Sequence, residues 1–202
     1  MINLSKGQSI NLTKTQADLK QVTMGLGWQG AGGRDLDLDS YVALQDENGV
    51  NLEFVYFGNL SGRGVRHKGD DLVGGGQAGA PNEEIVITLD NLPGNCAKIV
   101  CGLFIYSGAS NLGGVENAFV KLSDQAGTDV VRYEINESFG KSKSIVVGEL
   151  VKVDNEWSFN ADGKGENHSY SDIRRMYAQG QTAQTESSER SGRGFLGRLF
   201  GG

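Results

Sequence analysis

Apolar and polar residues alternate with a period of two along most of the chain, which is the pattern of half-buried β-strands. The segments with this pattern are 2–4, 10–12, 22–28, 41–45, 52–57, 84–90, 97–107, 117–124, 129–135, 144–153 and 156–160. Turn sequences such as DENG separate them. About ten strands without alternating helices predict an all-β fold, a β-sandwich of two mainly antiparallel sheets.

One short helix is predicted near the C-terminus, at 170–178. Ser171 can cap it, and Ile173, Met176 and Tyr177 form an apolar stripe at helical spacing.

The composition divides the chain into three parts. A β-sandwich domain is predicted over 1–178, and the polar sequence at 179–194 is typical of a flexible linker. The last segment, 195–202, places four large apolar residues close to arginines. Such a motif can dock into a protein groove or onto a membrane surface, or it can fold back on the domain.

Overall composition narrows the class of protein. The chain has 202 residues, of which 38% are hydrophobic, and a formal net charge of −6. An acidic balance argues against non-specific binding of nucleic acid. The start MINLSKGQSINL has no secretion signal, and no apolar run is long enough to cross a membrane, so a cytoplasmic protein is expected. Cys96 and Cys101 are expected to be buried thiols.

The stretch RDLDLDS carries the strongest chemical signal. Asp35, Asp37 and Asp39 alternate with leucines, which places three carboxylates on one face. Aspartate is unfavourable in strands, and like charges side by side are destabilising. This arrangement indicates a bound cation.

Further oxygen-rich residues follow at later junctions between strands and loops. Carboxylates, amides and backbone carbonyls in glycine-rich loops are the ligands that calcium prefers, whereas magnesium keeps more water. The same residue types also form turns for backbone reasons, and this alternative stays open. The candidate ligands are Asp37, Asp39, Asn59, Asp70, Asp71, Asn82 and Glu83.

Two known binding motifs are excluded by their context. The segment GLGWQG at 25–30 satisfies the dinucleotide-binding spacing, but no helix follows it, so a glycine-rich β-turn is expected. The aspartates at 35, 37 and 39 match the first EF-hand positions, but Ser40 and Asp46 occupy the places of the required glycine and glutamate.

Catalysis finds little support in the sequence. His67 and His168 have no serine or cysteine nucleophile in a recognisable setting, and no nucleophile elbow is present. We therefore expect a protein that is not an enzyme.

Several further motifs follow one another along 1–163. They are GLGW, DLDLDS, YFGN, HKGDDLVGGG, FIY and VVGELVKVDNEWSF. In this order they resemble the TerD family of tellurium-resistance and stress-response proteins. The resemblance implies a β-sandwich that binds one or two calcium ions through acidic loops.

The resemblance also implies individual ligands. Asp37 and Asp39 match the carboxylates of the family's DLD strand. Asn59 matches the second asparagine of an FNN-type turn, Asp70 matches the aspartate of a GDN-type loop, and Glu83 matches the glutamate before the next strand.

This chain departs from the family pattern in three places. Gly58 and Asp71 replace asparagines, and the loop 74–82 has fewer carboxylates than its family counterpart. Fewer carboxylates are expected to weaken binding or to remove one of two ions.

The sequence and the resemblance together predict a calcium-binding module in stress response or tellurite resistance. Its expected partners are other stress-response proteins, with the tail as a contact to a membrane-associated complex. The first alternative is a module whose calcium bridges to an anion, a nucleotide or a sugar. The second is a structural protein whose altered loop has lost the ion.

Overall fold

The computed structural model describes residues 1–16, 18–77, 79–135 and 137–178, apart from the Glu137 side chain. Within them the chain forms fourteen β-strands and two α-helices. The strands are β1 (Ile2–Asn3), β2 (Ser9–Asn11), β3 (Gln21–Gly30), β4 (Asp37–Gln45), β5 (Asn51–Val55), β6 (Ser61–Gly62), β7 (Val65–His67), β8 (Glu83–Thr88), β9 (Lys98–Ser107), β10 (Val115–Ser123), β11 (Asp129–Ile135), β12 (Ser144–Val153), β13 (Glu156–Asn160) and β14 (Lys164–Glu166). The helices are α1 (Leu12–Thr15) and α2 (170–178). The predicted linker at 179–194 and the apolar motif at 195–202 lie outside the described residues.

The strands form two sheets, which confirms the predicted β-sandwich. Sheet I has the order β1-β11-β10-β3-β8-β7-β6, and sheet II has the order β2-β13-β12-β9-β4-β5 with β14 beside β12. The pairings are antiparallel except for β1, which runs parallel to β11. There are more strands than the sequence predicts because β6, β7 and β14 are too short to show alternation.

The space between the sheets holds the main hydrophobic core. Alternation in β8 turns Glu83, Ile85 and Ile87 inward and leaves the residues between them half-buried. Cys96 and Cys101 are buried and unpaired, as expected. Burial raises the pKa of the Cys101 thiol to about 12, so this thiol is unreactive.

The segment GLGWQG is part of strand β3, and the predicted β-turn is wrong. Its glycines serve close approach instead. A side chain at Gly27 would overlap the ring of Phe119 on β10, and one at Gly25 would press on Pro81. The missing side chains thus let a neighbouring ring and the loop before β8 lie across the outer face of β3.

Helix α2 packs on the outer face of sheet II, which confirms the predicted helix. Ile173 is fully buried there, within an aromatic cluster that also contains Tyr41, Phe54 and Phe104. Met176, expected in the apolar stripe, is instead 38% exposed.

The helix is capped by Ser169 rather than by Ser171. The backbone nitrogen of Ser169 donates to Asp172 Oδ2 at 3.0 Å, and the nitrogen of Asp172 donates back to Ser169 Oγ at 3.4 Å. Among the described residues, no helix is both long and apolar enough to cross a bilayer.

Candidate metal centre

An acidic cluster lies where the two sheets meet at one end of the sandwich. Asp37 and Asp39 belong to β4 of sheet II, and Asp70 lies in the loop between β7 and β8 of sheet I. One oxygen from each carboxylate lies within 4.8 Å of the others. This is the one such group of three or more acidic, histidine or cysteine side chains that the described residues form.

The edge of β4 is open at this position. β4 pairs with β9 from Asp37 onward, but β5 joins its other edge only from Val42. Side chains from sheet I fill the gap. This is why residues from both sheets can meet at the start of β4.

The two aspartates of β4 are buried without full hydrogen bonding. Asp37 is 5% exposed and Asp39 is 1% exposed. Asp37 Oδ1 and Asp39 Oδ2 have no hydrogen-bond partner. Buried polar atoms are nearly always paired, and a buried unpaired carboxylate is strongly destabilising. A cation would satisfy both oxygens.

The metal-free cluster holds protons more tightly than ordinary carboxylates do. Burial, followed by the charges of Glu83 and Asp37, raises the pKa of Asp39 to about 9. Burial, followed by the charge of Asp70, raises the pKa of Asp37 to about 6. Burial and the neighbouring Glu83 also raise the pKa of Asp70. A bound divalent ion would replace these protons.

Glu83 is held beside the cluster by donors from three segments. Its Oε2 accepts from the Ser40 nitrogen at 2.8 Å and from Ser40 Oγ at 2.7 Å. Its Oε1 accepts from the Asp71 nitrogen at 3.3 Å. His67 Nε2 lies 3.5 Å from Oε2. The carboxylate therefore adds negative charge to the site while its own oxygens are already engaged.

Ser40, His67 and Glu83 contact one another, with Ser40 Oγ 3.4 Å from His67 Nε2, but their arrangement differs from that of a catalytic triad. In a triad the serine hydroxyl donates to the histidine, and the carboxylate orients the far ring nitrogen. Here the Ser40 hydroxyl donates to Glu83, and His67 Nδ1 accepts from the Gly69 nitrogen at 3.2 Å. All three side chains are also buried.

Asp71 and Asn82, two predicted ligands, hold the loop between β7 and β8 in place. Asp71 Oδ1 accepts from the nitrogens of Val73 and Gly74, and its Oδ2 accepts from Asn82 Nδ2 at 3.3 Å. Asn82 Oδ1 accepts from the Trp28 nitrogen at 2.9 Å. These bonds tie the loop to β3, beside the cluster of three aspartates.

Asn59 lies in the turn after β5. Its Nδ2 donates to the Phe54 carbonyl at 2.7 Å, and it forms an isolated β-bridge with Tyr56. The recorded contacts of this predicted ligand thus stay within its own turn. Asp35, the third carboxylate of the RDLDLDS stretch, is exposed and lies outside the cluster.

Two residues of the site were not among the predicted ligands. Ser40 and His67 both contact Glu83. The available signal was strand alternation, because His67 shares a face with buried Val65 in β7 and Ser40 shares a face with buried Val42 in β4.

Comparison with known proteins gives consistent matches. A family model described as the TerD domain matches residues 1–177. Stress response protein SCP2 of Bacillus subtilis (strain 168) is 36% identical over 188 residues, which cover 82% of this chain and 93% of that protein. The tellurium resistance protein TerD of Alcaligenes sp is 33% identical over 175 residues, which cover 81% of this chain and 90% of that protein.

A solved structure shares the fold. The crystal structure of a homologue of telluride resistance protein (TerD) from Streptomyces coelicolor A3(2) superposes with a TM-score of 0.66 at 19% identity. The superposition covers 80% of this chain and 98% of that chain.

Proposed function

Because the chain belongs to the TerD family, we propose that it acts in stress response and tellurite resistance as a calcium-binding module. In this proposal the protein binds and presents an ion and does not catalyse a reaction. The ion lies at the cluster of Asp37, Asp39 and Asp70.

The observation that carries this proposal is the pair of unpartnered oxygens, Asp37 Oδ1 and Asp39 Oδ2. Calcium binds oxygen at about 2.3–2.6 Å, so ligand oxygens can lie up to about 5 Å apart on opposite sides of the ion. The spacing of the three carboxylates, within 4.8 Å, fits this range.

The donor set also supports a hard cation. The three side chains offer carboxylate oxygens alone, and the nearest histidine, His67, is already engaged with Gly69 and Glu83. Transition metals prefer nitrogen or sulfur ligands, whereas calcium takes about six to eight oxygens. Three carboxylates leave room for backbone carbonyls and water.

A single ion fits the described residues better than two. Asp71 and Asn82, which the sequence suggests as further ligands, are bonded to each other and to the backbone of their loop and of β3. The loop 74–82 that follows contributes no carboxylate of its own. We therefore propose one calcium ion.

Calorimetry with isosteric variants tests the site. Asp37→Asn and Asp39→Asn keep the side-chain volume and place a neutral amide where the folded protein otherwise buries a carboxyl group, so both variants should fold. We expect each to lose most of the calcium affinity of the unchanged protein. We also expect each to lose its gain in melting temperature, since an ion that binds only the folded state adds about 2.7 kcal/mol at a hundredfold excess over Kd.

Asp35→Asn is the matched control. Asp35 belongs to the same acidic stretch but is exposed and outside the cluster. Its variant should bind calcium as the unchanged protein does. Equal calcium affinity and equal stabilisation in all three variants would refute the assignment.

A further inference from the structure

A cleft of about 370 Å³ lies on the outer face of sheet I, apart from the candidate metal centre. Strands β3, β10 and β11 form its floor, and the loop before β8 forms one wall. The cleft exists because Gly27 lets the Phe119 ring lie flat across β3. Its volume falls in the range of small-molecule sites, about 300–1,000 Å³.

The floor of the cleft carries one ion pair and no net charge. Phe119 is 3% exposed, and the Arg132 guanidinium lies 3.8 Å from its ring centroid. Arg132 Nε donates to Glu134 Oε1 at 2.6 Å. Both charged groups are thereby fixed, and their charges cancel. Among the described residues that line the cleft, Arg132 and Glu134 are the two with charged side chains.

A β-bulge in β10 adds two amide groups at the rim. The pairing of β10 with β3 shifts between Glu116 and Phe119, and Asn117 takes a positive φ of 52°. Asn117 Nδ2 then donates to Gln29 Oε1 at 2.7 Å. This leaves the Asn117 carbonyl oxygen as an acceptor and the Gln29 NH₂ as a donor. Bulges commonly re-aim side chains beside binding sites.

The wall of the cleft is anchored to the floor. The Gly75 nitrogen donates to the Trp28 carbonyl at 3.1 Å, and Asn82 Oδ1 accepts from the Trp28 nitrogen at 2.9 Å. The Gln77 amide lines this wall. The loop is therefore held over the sheet before any ligand arrives, which lowers the entropic cost of binding.

These groups define the chemistry of a ligand. Planar amides supply donors and acceptors side by side, which suits neighbouring hydroxyl groups. A phosphate or oxyanion would need an uncompensated cation, and Arg132 is already paired with Glu134. We propose that this cleft binds a neutral polyhydroxylated molecule of about the size of a monosaccharide. The proposal does not depend on calcium, because none of the three cluster aspartates lines the cleft.

Side-chain amide NMR tests the proposal directly. The protein is titrated with glucose, N-acetylglucosamine and myo-inositol, once with calcium and once with EDTA. We expect at least one of these compounds to give saturable shifts of the Gln29 and Asn117 amides. Because binding is also measured in EDTA, the cleft proposal can be confirmed or rejected even if the protein binds no calcium. No saturable shift at the cleft with any compound would overturn the proposal.

Variants and a charged analogue sharpen the test. Gln29→Ala and Asn117→Gly should each weaken binding about tenfold, the effect of losing one or two hydrogen bonds. Glycine at 117 keeps the positive φ without strain. Asn48→Ala, in the exposed turn between β4 and β5, is the control and should bind normally.

Three results would contradict the proposal. The first is unchanged affinity in both cleft variants. The second is tighter binding of glucose 6-phosphate than of glucose. The third is a set of shifts confined to the larger crevice of about 670 Å³ around Lys6 and Tyr133.

Discussion

Ser40 donates two hydrogen bonds to a single oxygen of Glu83, one from its backbone nitrogen at 2.8 Å and one from its hydroxyl at 2.7 Å. The two residues belong to different sheets, β4 and β8. One oxygen of this buried carboxylate thus takes both bonds from a single residue of the other sheet, while Asp71 and His67 contact Glu83 from its own side.

Ser40→Ala removes the hydroxyl bond and leaves the backbone bond. We expect the free energy of unfolding to fall by roughly 1–3 kcal/mol, because a buried charged acceptor loses a donor. Urea denaturation measures this loss. Ser110→Ala, an exposed site, should change stability by no more than about 0.5 kcal/mol. Equal midpoints for the two variants would contradict the prediction.

The metal-free protein should lose stability as the pH rises. The pKa of Asp39 is raised from 3.8 to about 9, so between these values the folded state binds more protons than the unfolded state. Asp37 contributes in the same direction at lower pH, because its pKa is raised from 3.8 to about 6. In EDTA, we expect the melting temperature to decline from pH 6 towards pH 9.

Asp39→Asn is the control for this pH dependence. The amide does not titrate, so the decline in the upper window should flatten. If the unchanged protein and the variant show the same pH profile, the raised pKa of Asp39 is wrong.

Gly102 of β9 is required by the ring of Tyr41. The two residues are cross-strand partners, and a side chain at 102 would overlap the tyrosine ring. We expect Gly102→Ala to reduce the free energy of unfolding by about 1–3 kcal/mol through overpacking. Gly94→Ala meets no atom within 4 Å and is the matched control in the same urea experiment. A Gly102→Ala variant as stable as the control would refute the packing argument.

Ile173 should decide whether α2 stays on sheet II. It is the fully buried residue of the helix, and Ile→Ala at such a site removes about 2–5 kcal/mol of packing. We expect amide hydrogens of 170–178 to exchange faster in Ile173→Ala, with the sandwich still protected. Met176→Ala, at the exposed side, should leave the exchange unchanged. Slow exchange in both variants would show that the aromatic contacts alone hold the helix.

The β-sandwich was predictable because several of its strands alternate apolar and polar residues and turn sequences separate them. In β8 the letters EEIVIT put Glu83 on the same face as two isoleucines, and the structure keeps that order. The prediction of a β-turn at GLGWQG was wrong because glycine occurs both in turns and in strands, and the sequence alone does not distinguish the two. The reason for a glycine at position 27 is the ring of Phe119, which lies far away in sequence on the neighbouring strand β10.

The candidate site was predictable in part for a related reason. Asp37 and Asp39 carry a signal of their own, since alternating aspartates in a strand are unfavourable without a cation. Asn82 carries no such signal. Its amide oxygen accepts a hydrogen bond from the backbone nitrogen of Trp28, which is far away in sequence. The residue type alone does not show whether an asparagine oxygen accepts from a backbone nitrogen or binds an ion.

The assembly of the cluster from both sheets has a consequence for kinetics. Asp37 and Asp39 come from sheet II and Asp70 from a loop of sheet I, so their carboxylates converge only after the sheets have docked. An ion bound to the converged carboxylates stabilises the folded state, and a contact that is absent from the folding transition state chiefly retards unfolding. The lifetime of the folded chain, and with it resistance to proteolysis, would then lengthen as free calcium rises.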